Sequence, residues 1–131
     1  MIKIAVTSVY VDDQEKAHRF YTDILGFETR QNIPLGAASW LTVGAAGGHD
    51  DVELLLEPGD SPIAQGYRQS LHAAGIPAIV LSVDDLRAEF ERLTSLGVKF
   101  TQEPVEDGPV ISAILDDTVG NLISLMQPVT R

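Results

Sequence analysis

The 131-residue chain contains no cysteine. Disulfide frameworks, thiolate nucleophiles and Cys-ligated metal centres are therefore excluded, and a cytoplasmic location is the default expectation. Basic residues are scarce: 9 Lys plus Arg stand against 19 Asp plus Glu, a formal net charge of −10. Such a field repels nucleic acid and anionic membranes and would favour a cationic ligand; the alternative is a solvated acidic surface that keeps the chain in solution. No apolar run approaches the roughly 20 residues that a membrane-spanning helix requires. Met1 to Val11 carries one Lys before Asp12-Asp13, which reads as a strand and not as a signal peptide. Gly44 to Gly48 is glycine-rich without a GxGxxG or Walker pattern, so no nucleotide site is expected.

What the chain does have is one pattern stated twice. Val11-Asp12-Asp13 opens an amphipathic segment that ends at Leu25-Gly26-Phe27. Val83-Asp84-Asp85 opens another that ends at Leu96-Gly97-Val98. The offset is 72 residues at the start (11 to 83) and 71 at the end (25 to 96). With 44% apolar residues, this implies two copies of one supersecondary unit in a single domain spanning 1–131. Module 1 covers about 1–57, a bridging helix about 62–75 and module 2 about 77–128.

Ile2 to Val11 reads as a strand, after which Asp12 or Asp13 caps a helix whose core face is Ala17, Phe20, Tyr21, Ile24 and Leu25. Phe27 to Asn32, Ala38 to Val43 and Val52 to Glu57 read as strands. Ile63, Tyr67, Leu71 and Ala74 form the stripe of the bridging helix. Ala78 to Val83 is a strand, Asp84 or Asp85 caps the second long helix, and Leu86, Phe90, Leu93 and Leu96 make its face. Val98 to Gln102, Val110 to Leu115 and Asn121 to Gln127 are the last strands. The expected fold is α+β: two βαβββ modules whose curved mixed sheets form a cleft.

This order resembles the vicinal oxygen chelate superfamily, which includes glyoxalase I, bleomycin-resistance proteins and extradiol dioxygenases. The resemblance rests on Val11-x-Asp13, Ala17-x-x-Phe20-Tyr21, Leu25-Gly26-Phe27 and the run Asp116 to Ile123. It implies a fold and a tendency to dimerise, but no single activity, because the scaffold hosts enzymes and binders alike. Enzymes of the superfamily usually hold one divalent metal through four side chains. The matching positions here are Val6, Glu53, Ala78 and Ser124. Val6 and Ala78 have no lone pairs to offer and a neutral Ser hydroxyl is a poor ligand, so a metal is disfavoured and glyoxalase I activity is not expected.

If those positions face the cleft, alternation brings Ser8, Tyr10, Ser82, Glu53, Glu57 and Ser124 to its wall. A mostly apolar wall with a few polar groups suits a small organic ligand. Glu53 and Glu57 could bind an amine or guanidinium, or one could act as a base with a raised pKa. Against this, Glu57 could end its strand in water and Glu53 could pair with an Arg. Trp40, the only Trp, lines the cleft or fills the core. Tyr67, Arg68 and Gln102 could cover the entrance. His18 and His72 read as surface residues, and His49-Asp50-Asp51 as a solvated turn or a weak metal site. The ligand-binding candidates are thus Glu53, Ser8, Glu57, Trp40, Ser82 and Ser124, with no assigned catalytic residue. The expectation is a metal-independent small-molecule binder, dimeric, with a possible cationic ligand. The competing class is a lyase, isomerase or dioxygenase that uses Glu53 as base or a displaced metal site. A third is a structural or partner-binding domain.

Overall fold

The computed structural model describes residues 1–48 and 52–129. His49-Asp50-Asp51 lies outside the described residues. The chain divides into two compact units, Met1–Tyr67 and Arg68–Arg131. The boundary falls inside the bridging helix and not at either of its ends.

The first unit runs β1 (Val6–Val11), α1 (Gln14–Arg19), a π-helical turn (Phe20–Ile24), β2 (Phe27–Leu35), β3 (Ala38–Ala45) and β4 (Glu53–Pro58). Its four-stranded sheet has the order β1-β4-β3-β2, with β1 parallel to β4 and the other pairs antiparallel. Next comes α2 (Pro62–Ala73). The second unit repeats the series as β5 (Ile79–Ser82), α3 (Leu86–Ser95), β6 (Phe100–Asp107), β7 (Val110–Asp116) and β8 (Leu122–Pro128). Its sheet order, β5-β8-β7-β6, is the same topology. The expected α+β architecture of two βαβββ modules and a bridging helix is present.

The repeated Val-Asp-Asp motif works the same way in both copies. The second Asp is the cap in each: Asp13 Oδ1 accepts from Lys16 N–H (3.0 Å) and Asp85 Oδ1 from Ala88 N–H (3.1 Å). Such a bond satisfies an orphan donor of the first turn, worth about 1 kcal/mol. Gly26 (φ 90°) and Gly97 (φ 89°) close the two helical segments in the left-handed region, where a side chain would be strained. Leu25 N–H reaches back to Phe20 O, a five-residue span that widens the end of the first segment into its π turn. Thr22 Oγ donates to His18 O in the same stretch (2.6 Å).

Each helix buries one face of its sheet. Ala17, Phe20 and Tyr21 pack with the buried Val9, Val11, Leu41, Val43, Leu54 and Leu56 in the first unit. Leu86, Leu93 and Val98 do the same with Ala113, Leu115, Ile123 and Leu125 in the second. Gln14 pins α1 to its sheet, donating to Ser39 O and Leu56 O and accepting from Ser39 N–H.

Several sequence expectations need correction. The N-terminal strand begins at Val6, not Ile2. The buried stripe of α2 is not Ile63-Tyr67-Leu71-Ala74. Ile63 (87%) and Tyr67 (54%) are exposed, while Ala64 and Arg68 are buried. The helix is turned so that Arg68 lies against Gly120, where a Cβ would collide with the arginine side chain. An apolar pattern alone pointed to the neighbouring stripe because it counts an arginine as outward-facing. Arg68 is therefore not a surface group available to cover an entrance.

Candidate functional site

Cross-strand partners share a face of a sheet, so the register shows which residues stand opposite the helix. In the first unit Val6 pairs with Glu53, Ser8 with Leu55 and Tyr10 with Glu57. Thr42 pairs with Leu55, and on the next strand Gln31 pairs with Thr42 and Ile33 with Trp40. Ser8, Glu53, Glu57 and Trp40 consequently lie on one sheet face, the one away from α1. Trp40 is half-buried and stands with Ile33 on this open face, not in the core under the helix. Exposed Val6, Ile33 and Leu35 belong to the same surface. Tyr10 meets Tyr67 edge-to-face at 6.1 Å at one side.

Glu53 is the best-organised polar group on this face. Its Oε1 accepts from Thr42 Oγ (2.6 Å) and from Gln31 Nε2 (2.8 Å). Among the described residues Oε2 makes no hydrogen bond. The Thr42 hydroxyl and then the Gln31 amide hold the carboxyl below its usual range, outweighing partial burial, and the charge of Arg30 adds to them. The expectation of a raised, base-like pKa is thus corrected for Glu53, because its donors favour the anion.

Arg30 occupies the irregular position between Thr29 and Gln31 where the β2–β3 register shifts. Its side chain lies across Gly44, where a Cβ would collide with the guanidinium. Nη2 donates to Ala45 O (2.8 Å) and Nη1 contacts Glu28 Oε1 (2.9 Å). Gln31, Thr42 and Arg30 were not singled out in the sequence. Alternation from Trp40 would have placed Thr42 on this face; the register shift that brings in Gln31 and Arg30 carries no sequence signature of its own.

The second unit has a plainer open face. Ser124 pairs with Val80, and Ser82 with Met126. Both candidate serines therefore lie on this sheet's open face, beside Ser112 and Ile114 of β7. Gln102 is tied within the sheet, its Nε2 donating to Ser112 O (3.2 Å). Across the four superfamily metal positions the side chains amount to two hydrocarbons, one hydroxyl and one carboxylate already accepting two hydrogen bonds. That donor set does not fit a four-ligand divalent ion. Of the histidines, His18 contacts Thr29 Oγ (2.6 Å) and His72 contacts Asp116 Oδ2 (3.1 Å). Neither stands in a described cluster of three or more metal-ligating side chains.

The family model described as Glyoxalase/Bleomycin resistance protein/Dioxygenase superfamily matches residues 3–125. The chain belongs to this superfamily. Among relatives of this superfamily protein, the uncharacterized protein YurT of Bacillus subtilis (strain 168) is 43% identical over 126 residues, covering 96% of this chain and 99% of YurT. The mitochondrial methylmalonyl-CoA epimerase of Homo sapiens is 34% identical over 125 residues, covering 92% of this chain and 70% of the epimerase. The crystal structure of TnmS3, an antibiotic binding protein from Streptomyces sp. CB03234, is 29% identical with a TM-score of 0.76, covering 98% of each chain. No described helix is long and apolar enough to cross a membrane.

Proposed function

We propose that this superfamily member binds a small organic molecule on the open face of its first unit, with Glu53 as a fixed anionic anchor and without metal-dependent catalysis. The supporting observation is the arrangement of Glu53: two donors hold one carboxylate oxygen, and the other makes no bond to a described residue. A preorganised acceptor of this kind costs little to align when a ligand donor arrives. Trp40 and Ile33 offer the apolar surface that small-molecule sites need beside a few placed polar groups. The net charge of −10 favours a cationic ligand. The likeness to an antibiotic binding protein is in keeping with a binding role.

Trp40 is the only Trp, so its fluorescence reports on this face. Phenethylamine, an aromatic ring carrying one ammonium, should quench or shift that emission in a saturable way. Glu53→Gln should weaken binding at least about tenfold, the loss of one charge-assisted hydrogen bond. Prior treatment with chelator should change nothing. Unchanged affinity in the Gln variant would defeat the reading.

The likeness to methylmalonyl-CoA epimerase favours a second reading, an isomerase with Glu53 as proton acceptor. The downward shift of the Glu53 carboxyl opposes it, because a stabilised carboxylate is a weaker base. The binding reading also keeps the expectations of a cytoplasmic homodimer. Light scattering on the purified chain tests the dimer.

A further inference from the structure

We infer that the second unit carries a separate binding site, at one end of its open face, for the oxyanion group of a small organic molecule: a phosphate monoester or a carboxylate. It does not depend on the role of Glu53. The site is a surface depression of about 440 Å³ lined by His72, Gly97, Lys99, Asp116, Thr118 and Gly120. That volume is in the range of small-molecule sites.

Three segments bring its polar groups together. Phe100 pairs with Leu115, and Asp116 N–H donates to Lys99 O (2.9 Å), so Lys99 stands opposite Asp116 on one face of the sheet. Ile114 pairs with Ser124 on the open face, which sets Asp116, two residues on, there too. From α2, Arg68 lies against Gly120, and His72 follows one helical turn later on the same side. His72 Nε2 meets Asp116 Oδ2 at 3.1 Å.

Asp116 is engaged on both oxygens, because Oδ1 accepts from Thr118 N–H (2.8 Å). Thr118 makes that bond at φ 65° and is the only described non-glycine residue with a positive φ. A β-branched residue is strained there, and such strain collects at binding and catalytic sites. Here it fixes the carboxylate that orients His72. An ionised carboxylate only accepts, so Nε2 carries the hydrogen and Nδ1 is left for another partner. Among the described residues neither Nδ1 nor the Lys99 ammonium makes a hydrogen bond or ion pair.

With His72 protonated, Asp116 balances the imidazolium and Lys99 remains as a surplus positive charge. Two other charges lie near His72. Arg68 is buried, and Asp117 is buried with its oxygens bonded to Val119 and Asn121; the two offset each other in sign. In a chain of net charge −10, this depression therefore offers an anion two cationic donors, Nδ1–H and Nζ.

Phenyl phosphate and benzoate are the probes, and the tighter of the two names the anion. Each should shift the His72 ring proton signal in NMR saturably and leave that of His18 in place, the His72 signal being assigned by its loss in His72→Gln. Lys99→Gln and His72→Gln should each weaken binding about tenfold, the worth of one charge-assisted bond. Both side chains are exposed, so these variants keep the fold. Benzoate affinity should fall from about pH 6 to about pH 8 as the imidazolium loses its proton, and should stay flat in His72→Gln. Glu53→Gln should leave this binding unchanged, which separates it from any site on the first unit. No saturable shift of His72 with either probe, or equal affinity in Lys99→Gln and the native chain, overturns the inference.

Discussion

Glu53 in the first unit and Asp117 in the second are both carboxylates held by neighbouring donors, but they differ in what is left over. Asp117 is fully buried. Its Oδ1 accepts from Val119 N–H (3.0 Å) and Asn121 N–H (2.9 Å), and its Oδ2 from Asn121 Nδ2 (3.0 Å). Both oxygens are engaged inside its own turn. Glu53 is half-buried, receives both its bonds on one oxygen and presents the other on an open face. A buried, saturated carboxylate supports the fold; a half-exposed, half-saturated one is placed for a partner.

The sheets differ in the same sense. The 71-residue offset of the repeat carries Glu53 to Ser124 and Leu55 to Met126, and the partner of Met126 is Ser112. Ser112 thus stands where Thr42 stands in the first unit. A glutamine serves each: Gln31 donates to Glu53, whereas Gln102 donates to the Ser112 backbone. With the carboxylate gone, the same donor is absorbed by the sheet. Duplication preserved the scaffold while the two open faces diverged.

The strongest way to break this comparison is to remove each carboxylate. Asp117→Ala should cost on the order of 3 kcal/mol, since it strands buried donors, and should lower the urea midpoint accordingly. Glu53→Gln should cost under about 1 kcal/mol at neutral pH, because Thr42 and Gln31 keep an amide neighbour at a half-exposed position. Equal losses would erase the distinction.

Glycines sharpen it further. Gly120 has φ 103° and faces the buried Arg68, so Gly120→Ala should cost about 2 kcal/mol in thermal or chemical unfolding. At Gly44 only the far end of Arg30 has to move, and Gly44→Ala should stay within about 1 kcal/mol while displacing the guanidinium.

Smaller effects concern titration. Thr42→Val removes the main cause of the Glu53 shift and should move its carboxyl back toward the ordinary value, seen by carbon-detected NMR of the side-chain carboxyl. The folded value lies below the ordinary 4.5, so the bonds to Glu53 stabilise the fold above that range. The contribution is lost as pH falls through the folded value. As pH falls below 4.5 the stability gap between the native chain and Glu53→Gln should therefore shrink, as denaturation followed from neutral pH down an acid series would show.

Much of the scaffold was legible because its signals are local. Val-Asp-Asp capped both helices, Gly26 and Gly97 closed both segments, and alternation from Val11 placed Val6, Ser8 and Tyr10 on one face. The side of α2 that is buried was not legible, since an inward arginine breaks the apolar pattern. Nor was the facing of Trp40, which suits either side of a sheet until the register is known.

The sequence by itself determined the element order, the duplication and the mismatch at the superfamily's metal positions, because caps, glycine turns and side-chain identities act over a few residues. Only the tertiary structure decided what surrounds Glu53. Its donors Thr42 and Gln31 lie 11 and 22 residues away in the chain, and the charge of Arg30 comes from the irregular position between Thr29 and Gln31 where the β2–β3 register shifts. Hydrogen bonds and Coulomb forces act through space, so the charge state of Glu53 belongs to the folded sheet and to no segment of it.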